Sequence, residues 1–422
     1  MAPVCGIPAD TIRRVARRFA TARAAMIFWG MGVSQHVHGT DNVRCLIALA
    51  LACGQVGRPG AGLHPLRGQN NVQGASDSGL IPMFYPDYRQ VTDPAVRQRF
   101  EGYWGATLDP RRGLTVVEMI DAANAGTLRG MYIMGENPAM SDPDLTHARA
   151  GLATLDHLVV QDLFLTETAM LADVVLPASA LPEKDGTFTN TDRRVQMGRA
   201  AVPPPGQARQ DLWIIQELAR RLGLDWSYAG PRAVFDEMLG CLPSWRGLDW
   251  ERLERDGAVT YPLDPVTGRG REILFGDGFP MPGGKARLIP AAPLPPDEIP
   301  DHDYPLVLTT GRLLEHWHTG AMTRRAAALD QLEPAALVMA SPPLLARLGV
   351  KSGELVGVAT RRGRVEVAAR ADAALPDDLL FMPFCFAEGA ANMLTNPALD
   401  PFARIPELKY CAARLEQVRN NG

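Results

Sequence analysis

Short apolar runs that stop at a glycine or polar turn, and then give way to a helical pattern, restrict the fold of this chain more than any other feature. Ala25–Trp29 is one such run, broken at Gly30-Met31-Gly32. Gly130–Met134 breaks at Gly135-Glu136-Asn137-Pro138, His157–Gln161 breaks at Asp162, and Asp173–Leu176 is a fourth. Between them the spacing turns helical. Pro8–Ala22 sets Ile12, Val15, Ala16 and Phe19 on one stripe, Asp41–Gly54 ends on a glycine, and Val116–Ala125 and Thr166–Leu171 follow. Strand, turn and helix in repetition describe an α/β fold with a doubly wound parallel sheet, whose ligand sites lie at the carboxyl ends of the strands.

From Trp226 to Pro300 the chain is rich in Pro, Gly and Trp and loses periodicity, which reads as an irregular but ordered connector. After Tyr304 the texture becomes that of short strands: Leu306–Thr309, Ala336–Ala340, Leu355–Thr360, Arg364–Arg370 and Leu379–Met382. Two of these form a hairpin with Gly363 in its turn. The expected division is 1–65, 66–225, 226–300 and 301–422. At 422 residues several domains are needed, since single cores stop growing well below that length.

Composition excludes more than it assigns. Hydrophobic content of 46% with 21% charged residues is that of an ordinary globular protein, and a net charge of −4 gives no case for nucleic acid or an anionic membrane. The longest apolar stretch, Leu46–Cys53, is too short to span a bilayer. Cysteines 5, 45, 53, 241, 385 and 411 include no C-x-x-C pair, so no local zinc or iron–sulfur cradle is expected. They read as reduced cytoplasmic thiols, most of them buried as small hydrophobes.

Leu66–Asp77 is the segment with chemistry in it. Its twelve residues hold one arginine, four side-chain amides and two glycines, with neither helical nor strand periodicity. Amides donate and accept, and an arginine fork grips a carboxylate at two points, so a ligand-contacting loop is favoured over a solvated turn. Gly30-Met31-Gly32 after a strand permits close approach of a pyrophosphate, or is a plain tight turn. Asp162 and Asp211 each open a helical stretch and would serve equally as N-caps. His316 and His318 suggest a metal by spacing, but no third ligand accompanies them.

Several of these segments also resemble a known family, in co-linear order over nearly the whole chain. The carriers are Trp29-Gly-Met-Gly-Val-Ser-Gln35, Pro65-Leu-Arg-Gly-Gln-Asn-Asn-Val-Gln-Gly-Ala75, Met134-Gly-Glu-Asn-Pro138 and Val160-Gln-Asp162. Gly186–Gln196, Thr310-Gly-Arg312 and Asn392–Pro401 continue the series. They resemble the alpha subunit of molybdenum-dependent, NAD-linked formate dehydrogenases, which bind two molybdopterin guanine dinucleotides. The resemblance implies that 1–65 ends one α/β cofactor-binding domain, 66–225 is a second, and 301–422 is a double-psi β-barrel that binds dinucleotide. It implies that Arg67 clamps formate, supported by Gln69 and Asn70. Cofactor contacts carried over are Met31, Gly32, Gln35, Gln69, Gly135, Glu136, Asn137, Gln161, Asp162, Thr166, Arg193, Asp211, Arg312, His316, His318, Asn392, Lys409 and Tyr410. For Asp162 the implied contact is the guanine edge; for Tyr410, plain packing is an equal alternative.

The family's metal-ligating Cys-His pair and its N-terminal cluster cysteines have no match here, so the chain resembles a C-terminal portion with no metal ligand of its own. The [4Fe–4S] centre and NAD are then expected only in the complete enzyme, with flavin- and iron–sulfur-containing beta and gamma subunits as partners. Alone, the chain is expected to be inactive and poorly soluble. The implied reaction is oxidation of formate to CO2 in the cytoplasm. Alternatives are another oxidoreductase of the family, such as a nitrate reductase, a cofactor-free scaffold related to the large subunit of respiratory complex I, or an inactive truncated product.

Overall fold

The computed structural model describes residues 1–418; the last four positions of the expected barrel domain, 419–422, lie outside the described residues. Two short strands, β1 (Met26–Trp29) and β2 (Gly62–Pro65), pair in parallel with Met26 opposite Gly62 and Trp29 opposite Pro65. The helix Gly39–Ala52 connects them and packs on β2, and Gly54 takes the left-handed φ that ends it. The amphipathic helix Ala9–Thr21 buries none of its residues, and Phe28 on β1 is 58% exposed. A minimal hairpin, β3 (Phe84–Tyr85) with β4 (Arg89–Gln90), follows.

The second parallel sheet contains β5 (Gly130–Met134), β6 (His157–Asp162) and β7 (Val174–Pro177), adjacent in that order. The helices Val116–Asn124 and Leu145–Ala153 pack together and cover one face, with Ile120, Ile133, Leu145, Leu152, Leu158 and Val160 forming the core between. The first of these helices starts where Thr115 and Glu118 make a reciprocal capping box. The opposite face leaves Tyr132, Met134 and Val174 exposed.

Residues 306–417 form a closed six-stranded barrel of β11 (Leu306–Gly311), β12 (Leu337–Ala340), β13 (Leu355–Ala359), β14 (Arg364–Ala371), β15 (Leu379–Pro383) and β16 (Cys411–Gln417). Pairs β11·β15 and β12·β14 are parallel; β13·β14 and both pairings of β16 are antiparallel. Alternating side chains of β11 and β14 point into one core with Leu308, Val356, Val358, Leu380 and Met382, all of them fully buried. Each such side chain contributes about 1.5–3 kcal/mol.

Three expectations need correction. The segment expected to be loop throughout contains the helix Val72–Asp77. It has no apolar stripe, and its Gly74 lies where a Cβ would collide with Asn71 and Thr189, so close tertiary packing holds it. The expected helix Thr166–Leu171 is only a 3₁₀ turn over Ala169–Leu171. The connector is not irregular in its first half: it folds into the helices Pro231–Cys241 and Trp250–Asp256. It also supplies β10 (Ala258–Thr260), which joins the antiparallel sheet of β8 (Gly186–Thr189) and β9 (Arg194–Gly198). Phe235, Leu242, Trp245, Leu253, Val259 and Tyr261 make a core of their own with Val195, which overrides the weak local pattern.

The barrel and the first α/β part are stitched together at one seam. Asp400, fully buried, accepts from the amide and hydroxyl of Thr40 at 2.9 and 2.8 Å, capping the helix Gly39–Ala52 from the far end of the chain. Beside it Glu407 accepts from the Val37 amide, and the Lys409 amide donates to Gln35 O.

Candidate functional site

The turns after β5, β6 and β7 open onto a cavity of about 570 Å³, at the carboxyl ends of the parallel strands where such sheets bind ligands. Gly135, Glu136, Asn137, Gln161, Asp162, Ser179, Lys184 and Asp211 line one side; Gln69, Asn70, Trp317 and His318 line the other. Gly135 takes φ 64°, and a Cβ there would meet nothing, so the backbone is open to a ligand.

Electrostatically the site has two poles. At the α/β pole, desolvation and then Asp162 raise the Glu136 carboxyl, and desolvation raises that of Asp162 against the amides of Leu163 and Phe164. At the barrel pole, Arg312, His318 and Lys409 gather round the ring of Phe384, at 5.4, 5.4 and 5.6 Å. Burial, then Arg312 and Lys409, press His318 down to about 4, and burial with Arg312 lowers Lys409 to about 8. None of the three has a carboxylate in ion-pair range among the described residues, although Lys409 Nζ donates to Thr310 O at 2.8 Å. Uncompensated cations beside desolvated acceptors suit an anionic ligand with a hydrogen-bonding base, and the dinucleotide expected from the sequence is such a ligand. His318 holds φ 51°, uncommon for a non-glycine residue.

The residues carried over from the sequence separate into two groups. Gln69, Asn70, Gly135, Glu136, Asp162, Asp211 and His318 face the cavity, and Arg312 reaches within 3.6 Å of where a Gly68 Cβ would stand. Gln161 and Asn137 line it too, yet their amides are engaged. Gln161 links Tyr132 to Asp211, with 2.6 Å to the latter, and Asn137 holds Thr168 and Glu167. Arg67 lies beside the cavity and donates to Val72 O and Ser76 Oγ, both at 3.2 Å.

Others are placed elsewhere. Arg193, at φ 65°, spends its guanidinium on the carbonyls of Tyr261, Arg271 and Glu272, because the connector folds over it. His316 is buried against Glu333 O at 2.7 Å, and Thr166 bonds its own turn. Asn392 donates to Met140 O and Ser141 O, joining barrel to sheet. Met31, Gly32, Gln35 and Tyr410 do not line the cavity. Neither aspartate is the helix cap it could have been: Asp162 accepts from Leu163 N with no helix there, and Asp211 pairs with Lys184.

Sequence reasoning missed Ser179 and Lys184. Ser179 follows β7 directly, so the strand-end rule could have found it, and its buried hydroxyl has no partner. Lys184 carries no local signal. The expectation of no metal ligand also meets an unforeseen cluster, His36, His38 and Glu407. Of the cysteines, 241, 385 and 411 are buried, while 5 and 45 are exposed, fewer buried than expected.

This arrangement matches known proteins. The family model described as molybdopterin oxidoreductase matches residues 13–221, and that of the molydopterin dinucleotide binding domain matches 306–412. The chain belongs to the molybdopterin oxidoreductase family. Among its relatives, the "F420-dependent formate dehydrogenase subunit alpha" of Methanocaldococcus jannaschii is 44% identical over 98% of this chain and 61% of that protein. "Formate dehydrogenase H" of Escherichia coli is 36% identical over 98% of this chain and 59% of its own length. The chain thus spans about three-fifths of these relatives. The solved structure of acetylene hydratase from Pelobacter acetylenicus has the same fold, with a TM-score of 0.75 at 20% identity over 98% of this chain and 63% of that one. No helix among the described residues is long and apolar enough to cross a membrane.

Proposed function

We propose that this chain is part of the catalytic subunit of a formate dehydrogenase, holding a pair of molybdopterin guanine dinucleotides and oxidising formate to CO2. The observation that carries the reading is the loop Arg67–Asn70. Its two amides line the cavity, and its backbone lies against Arg312 of the barrel. Arg67 would grip the formate carboxylate at two points, while Gln69 and Asn70 orient it and displace water. Asp162 would accept from a guanine edge, and Arg312, His318 and Lys409 would take the phosphates. When bound, the molybdenum centre supplies two-electron acceptance; the protein contributes position and charge.

Electrons would pass to partner subunits of a cytoplasmic complex. The sequence resemblance favours NAD as the final acceptor, whereas the printed names of relatives at 44%, 41% and 41% identity favour F420 as a second reading. The test is formate-dependent reduction of NAD, F420 and an artificial dye by the complex that contains this chain. Arg67→Lys should abolish most turnover at unchanged molybdenum content, because lysine lacks the planar fork. Unchanged formate kinetics in a fully loaded variant would remove Arg67 from the site; no formate oxidation by the wild-type complex would remove the reading.

A further inference from the structure

We propose that His36, His38 and Glu407 form a binding site for a zinc(II)-class ion that pins the first α/β part to the barrel. The three residues come from opposite ends of the chain, and one ligand atom from each lies within 4.8 Å of the other two.

Glu407 provides the first argument. It is fully buried, accepting from the amides of Val37 at 3.3 Å and Asp297 at 2.9 Å, and no lysine or arginine reaches it among the described residues. A buried carboxylate without a lysine or arginine partner is costly, so this seam favours a positive charge beside Glu407.

The imidazoles supply the second. His36 Nε2 lies 2.9 Å from Gly32 O, a contact that only an Nε2–H can make well. This fixes the tautomer that leaves the Nδ1 lone pair free, as a backbone carbonyl behind a metal-bound histidine commonly does. That Nδ1 stands 3.7 Å from Glu407 Oε1, too far for a hydrogen bond. Donors around a tetrahedral ion with bonds of roughly 2.0–2.1 Å stand about 3.3 Å apart, so the spacing is that of two ligands sharing an ion. His38 Nδ1 is buried without any partner, and its ring meets that of His36 edge-on at 5.7 Å.

Two nitrogens and one carboxylate oxygen suit zinc rather than calcium or magnesium, which take oxygen sets. Three protein ligands leave a fourth position for water. The loop that carries His36 and His38 and the segment that carries Glu407 are already joined at Thr40–Asp400 and Gln35–Lys409, so an ion would close a seam that the fold has aligned. The inference stands independently of the substrate reading.

The test uses the full chain, stripped with a chelator and titrated calorimetrically with zinc chloride, with zinc counted by elemental analysis. The wild type should bind one ion per chain, and zinc should raise its unfolding midpoint. His38→Ala and Glu407→Gln should each weaken binding roughly tenfold or more, while the fully exposed His302, changed to alanine, should leave it unchanged. Glu407→Gln keeps an oxygen for one of the two backbone amides, and His38→Ala leaves both untouched, so a folding defect common to both is not expected. Absence of saturable binding by the folded wild type up to about 1 mM zinc, or wild-type affinity in both variants, would overturn the proposal.

Discussion

Tyr261 donates its phenolic hydrogen to Asp77 Oδ2 at 2.5 Å, across 184 positions of the chain, and both side chains are buried. Gln73 Nε2 completes the group, 2.8 Å from Asp77 Oδ1 and 3.2 Å from the Tyr261 hydroxyl. Asp77 ends the short helix whose first carbonyl, Val72 O, holds Arg67. The connector therefore reaches the helix that supports Arg67 through the Tyr261 phenol.

Tyr261→Phe should cost about 1–3 kcal/mol of folding stability, since it takes a donor from a buried carboxylate. In the complete enzyme the KM for formate should rise as Arg67 loses its fixed support. Urea denaturation at pH 7 checks the first effect; a change below about 0.5 kcal/mol would mean that the bond is idle.

Asp162→Ala should weaken retention of the dinucleotide by roughly 1–3 kcal/mol, the cost of leaving a buried donor pair unmet. Molybdenum and GMP content after gel filtration should both fall. Wild-type levels of both would leave Asp162 as nothing more than an acceptor for Leu163 N.

Lys409 and His318 should make anion binding at the barrel pole pH-dependent. In the free protein their values lie near 8 and 4, lowered by burial first and by neighbouring cations next. A bound pyrophosphate favours the charged forms and raises both, so binding takes up protons and weakens as pH rises from about 7 to 9. Titration with guanosine diphosphate in buffers of different ionisation enthalpy reads the proton uptake directly. Proton release, or flat affinity over that range, would contradict the assignment.

Asp142 is buried against Glu136, and burial first, then that neighbour, push its carboxyl to about 7, with only Ser141 opposing. In the unfolded chain it ionises near 4, so the folded protein loses stability as pH rises from about 4 to 7 and stays penalised above. Asp142→Asn should thus gain about 2–4 kcal/mol over the wild type at pH 8 and roughly nothing at pH 4. Denaturation curves at the two pH values compare them; an equal difference at both would point to packing instead.

The parallel strands were legible because each ends on a residue that cannot continue it: β5 spans Gly130–Met134 as expected, and Gly135 supplies the turn. The closing strand β16 was not. Cys-Ala-Ala-Arg-Leu-Glu-Gln is as good a helix as a strand, and only the barrel's need for a partner between β11 and β13 decides it. In the connector, tertiary packing around Trp245 and Phe235 decides two short helices that the local pattern did not show. Gln69, Asp162 and His318, singled out from the sequence, line one cavity. Arg193 was lost because its partners are carbonyls about 70–80 positions downstream, which local spacing does not encode. For the same reason Glu407 could not be joined to His36 and His38.

The cap that Asp400 places on Thr40 has a consequence for how the chain acquires its structure. The helix Gly39–Ala52 waits for a residue 360 positions later to satisfy the Thr40 amide in its first turn, a bond worth about 0.5–2 kcal/mol. Until Asp400 is in place, the first turn of the helix Gly39–Ala52 lacks its cap and frays more readily. Contacts of such sequence separation slow folding, because a long loop must close before they form. A chain without Asp400 would leave the first turn of this helix uncapped.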